Sequence, residues 1–247
     1  MRLAIDLSRS RVETKYSLAA DEVAALTSRI PSDEREDYGV LTLYFDRPDG
    51  SLARRAMADP FHCTKVRTRQ YPEDSSVWFE VKTRQGCWTR KSRVQLSRDD
   101  ASRLVRGMSP AEAEAFGPLH ESDGDPEAEA RFHLRELADG GLRPVGAVYA
   151  YRRTFGVKQD QVRITLDQEI AYYRLCGDPY SVQSARAPGL LLRSEPDLIL
   201  EVKHGGALPP WGRELVSGLR RSRYSKFRNL LRSLAEARRS TDRVDRL

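Results

Sequence analysis

Cysteine and histidine are scarce in this chain of 247 residues. The chain contains the cysteines Cys63, Cys87 and Cys176 and the histidines His62, His120, His133 and His204. An odd number of widely spaced cysteines argues against a disulfide framework and against a zinc site built from paired cysteines. The histidines show no ligand spacing. A reducing, cytoplasmic location is therefore the simplest expectation.

Long apolar segments and a glycine-rich phosphate loop are also missing. No apolar run approaches the roughly 18 residues that a membrane helix needs. The opening residues, MRLAIDLSRSR, lack the apolar stretch of a signal peptide. Because no loop of the P-loop type is present, we expect any bound phosphate to be held by side chains rather than by a backbone nest.

Charge, in contrast, is abundant. Charged residues make up 32% of the chain and hydrophobic residues 39%, which is high for the first and low for the second in a globular protein. Lysine and arginine exceed aspartate and glutamate by 42 − 36 = +6. This excess indicates an anionic partner, namely phosphate, nucleic acid or a membrane surface.

Short alternating segments separated by turn signals such as Pro48-Asp49-Gly50 predict antiparallel strands. The predicted strands are 11–18, 39–47, 63–71, 76–84, 88–96, 145–156, 161–169 and 196–203. A short helix is predicted over 21–29, with Asp21 as its candidate cap. Further helices are predicted in an insert over about 98–140 and at about 214–238. Because no repeat or linker divides the chain, we expect a single domain over residues 1–247.

The predicted strands carry apolar residues on one face and charged residues on the other. The positive members of the charged faces are Lys15, Lys65, Arg67, Arg69, Lys82, Arg84, Lys91, Arg93, Arg153, Arg163 and Lys203, and the negative members are Glu13, Glu80, Asp167, Glu169, Asp197 and Glu201. For any single strand, exposure to solvent on the outer side of the sheet is enough to explain the charged face. Like charges on neighbouring strands are destabilising, so this many cations on one surface indicates a bound anion. If the sheet closes into a barrel, the charged faces line its lumen, which suits a polyanion bound with a divalent metal.

An ordered set of motifs resembles a known family. The set comprises E-T-K-Y at 13–16, L-Y-F-D at 43–46, K-V-R-T-R-Q-Y at 65–71, F-E-V-K at 79–82, K-S-R at 91–93, R-R-T-F at 152–155, R-I-T-L-D at 163–167, L-E-V-K at 200–203, L-P-P-W at 208–211 and R-Y-S-K-F at 223–227. It resembles the VTC domain, the catalytic domain of the vacuolar transporter chaperone polyphosphate polymerase, from about residue 9 to 235. That domain belongs to the triphosphate tunnel metalloenzymes.

The resemblance implies an α+β fold, in which helices flank an eight-stranded antiparallel β-barrel that forms a tunnel with a charged lumen. It implies transfer of the terminal phosphate of ATP or another nucleoside triphosphate to a growing inorganic polyphosphate chain, with Mn²⁺ or Mg²⁺. No specific nucleic acid is expected as a partner. The chain lacks the phosphate-sensing and membrane domains of the eukaryotic complex, so any membrane-protein partner would be supplied in trans.

The resemblance also implies roles for individual residues. The residues expected to contact phosphates are Lys15, Arg67, Arg69, Lys82, Lys91, Arg153 and Arg163. Glu201 is expected to bind the metal, and Arg223 and Lys226 to guide the phosphate chain at the tunnel mouth. From their place on the charged faces, Lys65 and Lys203 are further substrate-binding candidates. Glu13 and Glu80 are further metal-binding candidates, with orientation of cations as the alternative role.

Two departures from the family pattern bear on these roles. Arg11 stands where the wider superfamily has the first glutamate of Glu-x-Glu-x-Lys, so only Glu13 and Lys15 of that signature remain. This suggests fewer metal-binding carboxylates than in the hydrolases. Arg223 stands where the family often has lysine, which keeps the charge but changes the hydrogen-bond geometry.

Three functions remain open from the sequence. The first is a polyphosphate polymerase without a protein nucleophile, in which basic residues stabilise the transition state. The second is a tunnel triphosphatase or polyphosphate hydrolase. The third is a non-catalytic module that binds polyphosphate or nucleic acid.

Overall fold

The computed structural model describes residues 12–71, 76–86, 88–107, 111–112, 127–180 and 188–244. The strands are β1 (Val12–Leu18), β2 (Glu34–Asp46), β3 (His62–Gln70), β4 (Ser76–Gln85), β5 (Trp88–Ser97), β6 (Arg143–Val157), β7 (Val162–Leu175), β8 (Gly189–Ser194) and β9 (Leu198–His204). The helices are α1 (Glu22–Thr27), α2 (Ser51–Ala58), α3 (Arg98–Arg106), α4 (Ala128–Ala138), α5 (Pro210–Val216) and α6 (Lys226–Val244). Arg11, Cys87, the turn residues 72–74 and most of the acidic segment at 120–127 lie outside the described residues.

The strands form one antiparallel sheet in the order β1-β9-β7-β6-β2-β3-β4-β5, and β8 pairs with β7 outside this path. The α+β class and the antiparallel sheet are therefore confirmed. The eight strands of the path correspond to the eight predicted strands. Closure of the sheet into a barrel with a charged lumen stays a prediction. Strand β8 was not predicted, because its short segment GLLLRS has an exposed leucine pair and no polar alternation.

The chain divides into two compact units, each assembled from three segments. The first unit contains residues 1–39, 150–170 and 194–225, and the second contains residues 40–149, 171–193 and 226–247. The single domain predicted over residues 1–247 is not tested by this division and stays a prediction.

The first unit has a core between one face of its strands and helices α1 and α5. Tyr16, Leu166 and Leu200 from three neighbouring strands are buried there with Leu26 of α1 and Leu215 of α5. The alternation of these strands thus leaves Lys15, Thr165 and Glu201 on the opposite face.

The second unit has its own core on one face of β2 to β5. Phe45, Val66 and Phe79 are fully buried there, and Leu104 of α3 and Leu134 of α4 cover them. Helix α3 begins where the Ser97 side chain accepts a hydrogen bond from the Asp100 N–H at 3.0 Å, and it ends before Gly107, whose φ of 108° suits glycine. Helices α3 and α4 both lie in the predicted insert over 98–140.

The predicted helix over 214–238 is interrupted, which corrects the sequence analysis. Helix α5 ends at Val216, and Gly218 adopts a φ of 81° that favours glycine. The following segment then pairs with β1, since the Ser17 N–H donates to the Arg220 carbonyl at 3.1 Å and the Ser222 N–H donates to the Lys15 carbonyl at 2.8 Å. The backbone bonds to β1 replace helical bonds, and α6 begins only at Lys226.

The start of α1 also differs in detail from the expectation. Asp21 makes no capping hydrogen bond. The carboxylate of Glu22 instead accepts the Ala19 N–H at 2.7 Å. In the described residues, none of the helices combines the length and the apolar character needed to cross a lipid bilayer.

Asp46, the last residue of L-Y-F-D, holds the start of α2. Its Oδ1 accepts the N–H of Leu52 at 2.9 Å and its Oδ2 accepts the N–H of Ala53 at 3.2 Å. These are N–H groups of the first helical turn, which lack partners within the helix. Burial raises the pKa of Asp46, and the backbone N–H groups oppose the rise. The residue is therefore structural.

We expect Asp46→Ala to lower the free energy of unfolding by about 1–3 kcal/mol, because buried N–H groups lose their acceptor. Urea unfolding followed by circular dichroism measures this loss. Asp46→Asn keeps one acceptor oxygen and should retain part of the stability. Equal midpoints and slopes for Asp46→Ala and the wild type would contradict the capping role.

Candidate functional site

In the first unit, a buried carboxylate on β9 gathers several cations, and we call Glu201, Lys15, Lys203, Glu13, Arg152 and Asp167 the Glu201 cluster. Glu201 is 7% exposed and lies opposite Lys15 in the β1–β9 ladder. The Lys15 Nζ is 3.6 Å from the Glu201 Oε2 and 3.6 Å from the Glu13 Oε1. The Lys203 Nζ pairs with the Glu201 Oε1. A single carboxylate therefore orients two lysines of the charged face.

Arg152 and Asp167 form a buried ion pair in the same unit. The Arg152 Nε donates to the Asp167 Oδ1 at 2.6 Å, and its Nη2 donates to the Asp167 Oδ2 at 2.8 Å. This two-point geometry fixes the planar guanidinium. Burial opposes the charge of Arg152, but Asp167 outweighs burial and holds the Arg152 pKa well above its usual value.

The same cations control the ionisation of Glu201. Burial raises the pKa of the Glu201 carboxyl, and the charges of Lys203, Lys15 and Arg152 together outweigh it. The pKa of Glu201 is therefore held well below its ordinary value. Glu201 stays a carboxylate wherever these cations remain charged.

The structure separates the two arginines of R-R-T-F, of which only Arg153 was predicted from the sequence as a phosphate contact. Arg153, the predicted phosphate-binding residue, has its Nε 3.7 Å from the Asp37 Oδ2. Neighbouring residues in a strand point to opposite faces, and Phe155, two residues after Arg153, is buried in the core of the first unit. Arg152 thus joins the Glu201 cluster, whereas Arg153 does not.

The β7–β9 ladder places two more polar residues beside the Glu201 cluster. Arg163 lies opposite Lys203, and Thr165 lies opposite Glu201. Arg163 was predicted as a phosphate contact. Thr165 was missed, because a threonine in an alternating strand is more often part of an ordinary pleated surface.

In the second unit, Glu80 of β4 gathers three cations, and we call Glu80, Arg67, Arg69 and Lys91 the Glu80 cluster. The Arg67 Nε and Nη2 donate to the Glu80 Oε2 at 3.0 and 2.8 Å. The Arg69 Nε is 3.6 Å from the same oxygen, and the Lys91 Nζ is 2.5 Å from the Glu80 Oε1. The Glu80 side chain is 2% exposed. Four predicted site residues are thus brought together.

Three lysines lie side by side in a row that begins at Lys91 of the Glu80 cluster. In the β3–β4 ladder Lys65 is opposite Lys82, and in the β4–β5 ladder Lys82 is opposite Lys91. Directly opposite residues have Cβ atoms about 5 Å apart, and like charges at this spacing are destabilising. This row of lysines is the clearest indication of an anion-binding surface in the chain.

The contacts within the Glu80 cluster shift the pKa values of Glu80 and Lys91 away from their ordinary values. Burial raises the pKa of Glu80, but the charges of Arg67, Arg69 and Lys91 outweigh burial and hold it well below its ordinary value. Burial lowers the pKa of Lys91 to about 7; Glu80 opposes the fall, and the two arginines add to it. Lys91 therefore gains or loses its charge near neutral pH.

Aromatic rings fix other residues on this charged face. The Arg93 guanidinium lies over the Trp78 ring at 4.4 Å from the ring centroid. Tyr44, opposite Arg67 in the β2–β3 ladder, stacks on Phe227 with the ring centroids 4.8 Å apart. The phenylalanine of R-Y-S-K-F therefore supports the sheet by packing.

The two basic residues of R-Y-S-K-F occupy different local environments. Arg223 is exposed in the segment that precedes α6, and Lys226 is the first residue of α6 and is half-buried. The backbone carbonyl of Tyr224, between them, accepts a hydrogen bond from the Lys15 Nζ at 3.4 Å. Guidance of a phosphate chain by Arg223 and Lys226 stays a prediction.

The carboxylates differ in their suitability for a divalent metal. In the described ranges, no group of three or more histidine, cysteine, aspartate or glutamate residues is placed to hold a metal ion. Mg²⁺ is commonly held by one or two carboxylates together with substrate phosphates, and Mn²⁺ also suits oxygen ligands. Glu13 and Glu201, which share Lys15, fit this smaller requirement. Glu80, like Glu201, is surrounded by three cations, and its alternative role of orienting cations stays open beside metal binding.

Comparisons with known proteins identify a family for the chain and a solved structure with a similar fold. The family model of the VTC domain matches residues 9–235. No curated protein matches the chain. One solved structure similar to this chain is HpAC1 from Hippeastrum, a proposed adenylyl cyclase with a dominant triphosphatase activity. Its TM-score is 0.54 and its sequence identity is 14%, and the match covers 89% of this chain and 94% of the HpAC1 chain. A proposed adenylate cyclase from Bacillus halodurans has a TM-score of 0.48 and 15% identity, and the match covers 80% of this chain and 82% of the Bacillus halodurans chain. At these identities, the likeness to HpAC1 shows the fold alone.

We expect Glu80→Gln to lower the free energy of unfolding by about 3 kcal/mol, because three clustered cations lose their counter-charge. Urea unfolding measures the loss, and added inorganic tripolyphosphate should restore part of it. Glu236→Gln, at an exposed residue of α6, is the matched control and should unfold like the wild type. A Glu80→Gln protein as stable as the wild type would show that Glu80 does not compensate these cations.

We expect the affinity for tripolyphosphate to fall as pH rises through about 7, because Lys91 loses its proton in that range. Isothermal titration calorimetry from about pH 6 to about pH 8 measures this step. Lys91→Arg stays charged and should flatten it, whereas Lys65→Arg should leave it in place. Ionisation of the ligand is common to all three proteins and cancels in the comparison. If the step in affinity persists in Lys91→Arg, a group other than Lys91 causes it.

Proposed function

Because the chain belongs to the VTC domain family, we propose that it is a polyphosphate polymerase that transfers the terminal phosphate of ATP to a growing polyphosphate chain. The observation that carries the proposal is the organised positive charge on the strand faces. Lys65, Lys82 and Lys91 lie in one row, and buried carboxylates orient further lysines and arginines. Such an arrangement suits a ligand with several closely spaced negative charges.

We propose further that the sheet curls into the tunnel of the eight-stranded barrel that the resemblance implies, with the charged strand faces directed into its lumen. Residues 220–222 pair with the outer edge of β1 at Lys15 and Ser17, so β5 does not pair with β1 at those residues. The phosphate-binding residues are Lys15, Arg67, Arg69, Lys82, Lys91, Arg152 and Arg163, with Lys65 and Lys203 beside them. Arg152 replaces Arg153 in this set because it pairs with Asp167 and acts on Glu201. Arg223 and Lys226 remain candidates for guiding the phosphate chain. We also propose that the protein acts in the cytoplasm.

Phosphoryl transfer depends on positioning and on electrostatic stabilisation more than on covalent chemistry by the protein. The lysines and arginines neutralise the phosphate oxygens and hold the phosphoryl group in line with the attacking oxygen. That oxygen belongs to the end of a polyphosphate chain in a polymerase and to water in a hydrolase. No side chain of this protein forms a covalent intermediate in the proposal.

Glu201 and Glu13 would hold the divalent metal, either Mg²⁺ or Mn²⁺. When bound, such an ion supplies charge neutralisation at the phosphate oxygens. Glu201 is held as a carboxylate by Lys15, Lys203 and Arg152, so it is ready to accept a cation without first losing a proton. Glu80 acts as an orienting residue for Arg67, Arg69 and Lys91.

A triphosphatase is the second candidate function. It is favoured by the fold shared with HpAC1, whose dominant activity is that of a triphosphatase. The retained basic clusters suit either reaction, because both bind a triphosphate. Arg11, in place of the first glutamate of the superfamily signature, favours the polymerase.

Phosphorus NMR of the purified protein with ATP, Mg²⁺ and a short polyphosphate primer tests the proposal. A growing signal from internal chain phosphates is expected. Release of orthophosphate alone would replace the polymerase with the hydrolase. An unchanged ATP spectrum would favour a binding module and would contradict both enzymes.

Variants then test the residue roles in the same assay. We expect Glu201→Gln to lower turnover by about a hundredfold while tripolyphosphate binding is largely kept. Lys82→Ala should weaken tripolyphosphate binding itself, since it removes the middle lysine of the row. Glu214→Gln, at a side chain that is 79% exposed on α5, is the control and should behave as the wild type. Normal turnover in Glu201→Gln would remove Glu201 from the site.

A further inference from the structure

Two polar groups on the charged face of β7, the Thr165 hydroxyl and the Arg163 Nε, have no hydrogen-bond partner among the described residues. Thr165 is 1% exposed, and its Oγ1 has no hydrogen-bond partner among the described residues. The Nε of Arg163 is likewise buried and without a partner in that part of the chain. Buried polar groups are nearly always hydrogen-bonded, because an unsatisfied one is costly. Two such groups on one strand face therefore point to a ligand.

Both groups border the Glu201 cluster. Thr165 is directly opposite Glu201, and Arg163 is directly opposite Lys203. The two β7 residues share a face, and their Cα atoms are about 6.8 Å apart along the strand. A ligand bound there would lie against the two residues and against Glu201 and Lys203.

The unpartnered atoms determine the chemistry of this ligand. The Arg163 Nε carries a proton and only donates, and the Thr165 hydroxyl is able to donate. The carboxylate of Glu201, directly opposite Thr165, accepts a hydrogen bond from neither of these two groups. The ligand must therefore bring acceptor oxygens of its own. The positive charges of Arg163, Lys203 and Lys15 favour an anion over a neutral acceptor.

We propose that Thr165 donates a hydrogen bond to a phosphate oxygen of the substrate and that Arg163 donates to the same phosphate group or to its neighbour. Thr165 is then a substrate-binding residue of the Glu201 cluster. The inference rests on the proposed function, because it takes the anion to be a triphosphate or polyphosphate. It adds a neutral donor to a site that is otherwise made of charged groups.

Thr165→Val tests the proposal, since valine keeps the branched shape and removes the hydroxyl. Without ligand, we expect the melting temperature to rise by about 2–4 °C, because an unpaired buried hydroxyl is replaced by a methyl group. With inorganic tripolyphosphate as the probe, we expect calorimetry to give an affinity about tenfold lower, because the hydrogen bond to a charged oxygen is lost. A variant that is more stable and binds less tightly distinguishes a binding role from a structural one.

Two control variants separate the hydroxyl from packing. Thr165→Ser keeps the hydroxyl and should bind tripolyphosphate nearly as well as the wild type. Thr68→Val removes a buried hydroxyl that pairs with the Tyr180 hydroxyl in the second unit, so it should lower the melting temperature and leave the affinity unchanged. Circular dichroism confirms that each variant is folded.

The outcomes are distinguishable. A lower melting temperature for Thr165→Val would show that its hydroxyl has a protein partner and would overturn the inference. So would an unchanged affinity in Thr165→Val, or an equal loss of affinity in Thr165→Ser. If the wild type itself does not bind tripolyphosphate, the proposed function fails, and the inference fails with it. If the wild type binds and only the Thr165→Val prediction fails, the proposed function stands without this residue.

Discussion

Ion pairing of buried carboxylates with lysine and arginine is the interaction on which the charged strand faces depend. Glu80 and Glu201 are each almost fully buried, and neither would remain ionised in that position alone. Their cations would in turn repel one another without them. Burying a pair of charges repays its desolvation cost only when the geometry is good. The strand ladders provide that geometry, because they place the acid and the bases on neighbouring strands of one face.

In the Glu80 cluster three cations surround one carboxylate. Glu80 is paired with three cations in its unit, one of which is Lys91, and Lys65 and Lys82 continue the row beside Lys91. Charges that are held in place by neighbouring side chains need little reorganisation when an anion arrives. A preorganised basic surface is therefore the property that a polymerase, a triphosphatase and a phosphate-binding module would share. The identity of the attacking oxygen separates the first two.

Strand alternation made much of the site predictable, and the exceptions have physical causes. The period of two was enough to place Arg67, Glu80 and Lys82 on one face from the sequence. It led to Arg153 rather than Arg152, because alternation alone does not show which of two adjacent arginines shares the face of Glu201. Thr165 was not identifiable, since its significance arises from a missing hydrogen bond and from Glu201 on a strand more than thirty residues away. The helix predicted over 214–238 failed because backbone pairing with β1 outweighed helical propensity in residues 220–222.

That pairing with β1 has a consequence beyond the position of the helix. Strand β1 stands at one end of the strand order, and an uncovered edge strand offers its N–H and C=O groups to any extended chain that it meets. The Ser17 N–H and the Lys15 carbonyl are instead occupied by residues 220 and 222 of the same molecule. The segment between α5 and α6 therefore occupies the outer edge of β1 at residues 15–17, where another extended chain would otherwise pair, on the strand that also carries Lys15.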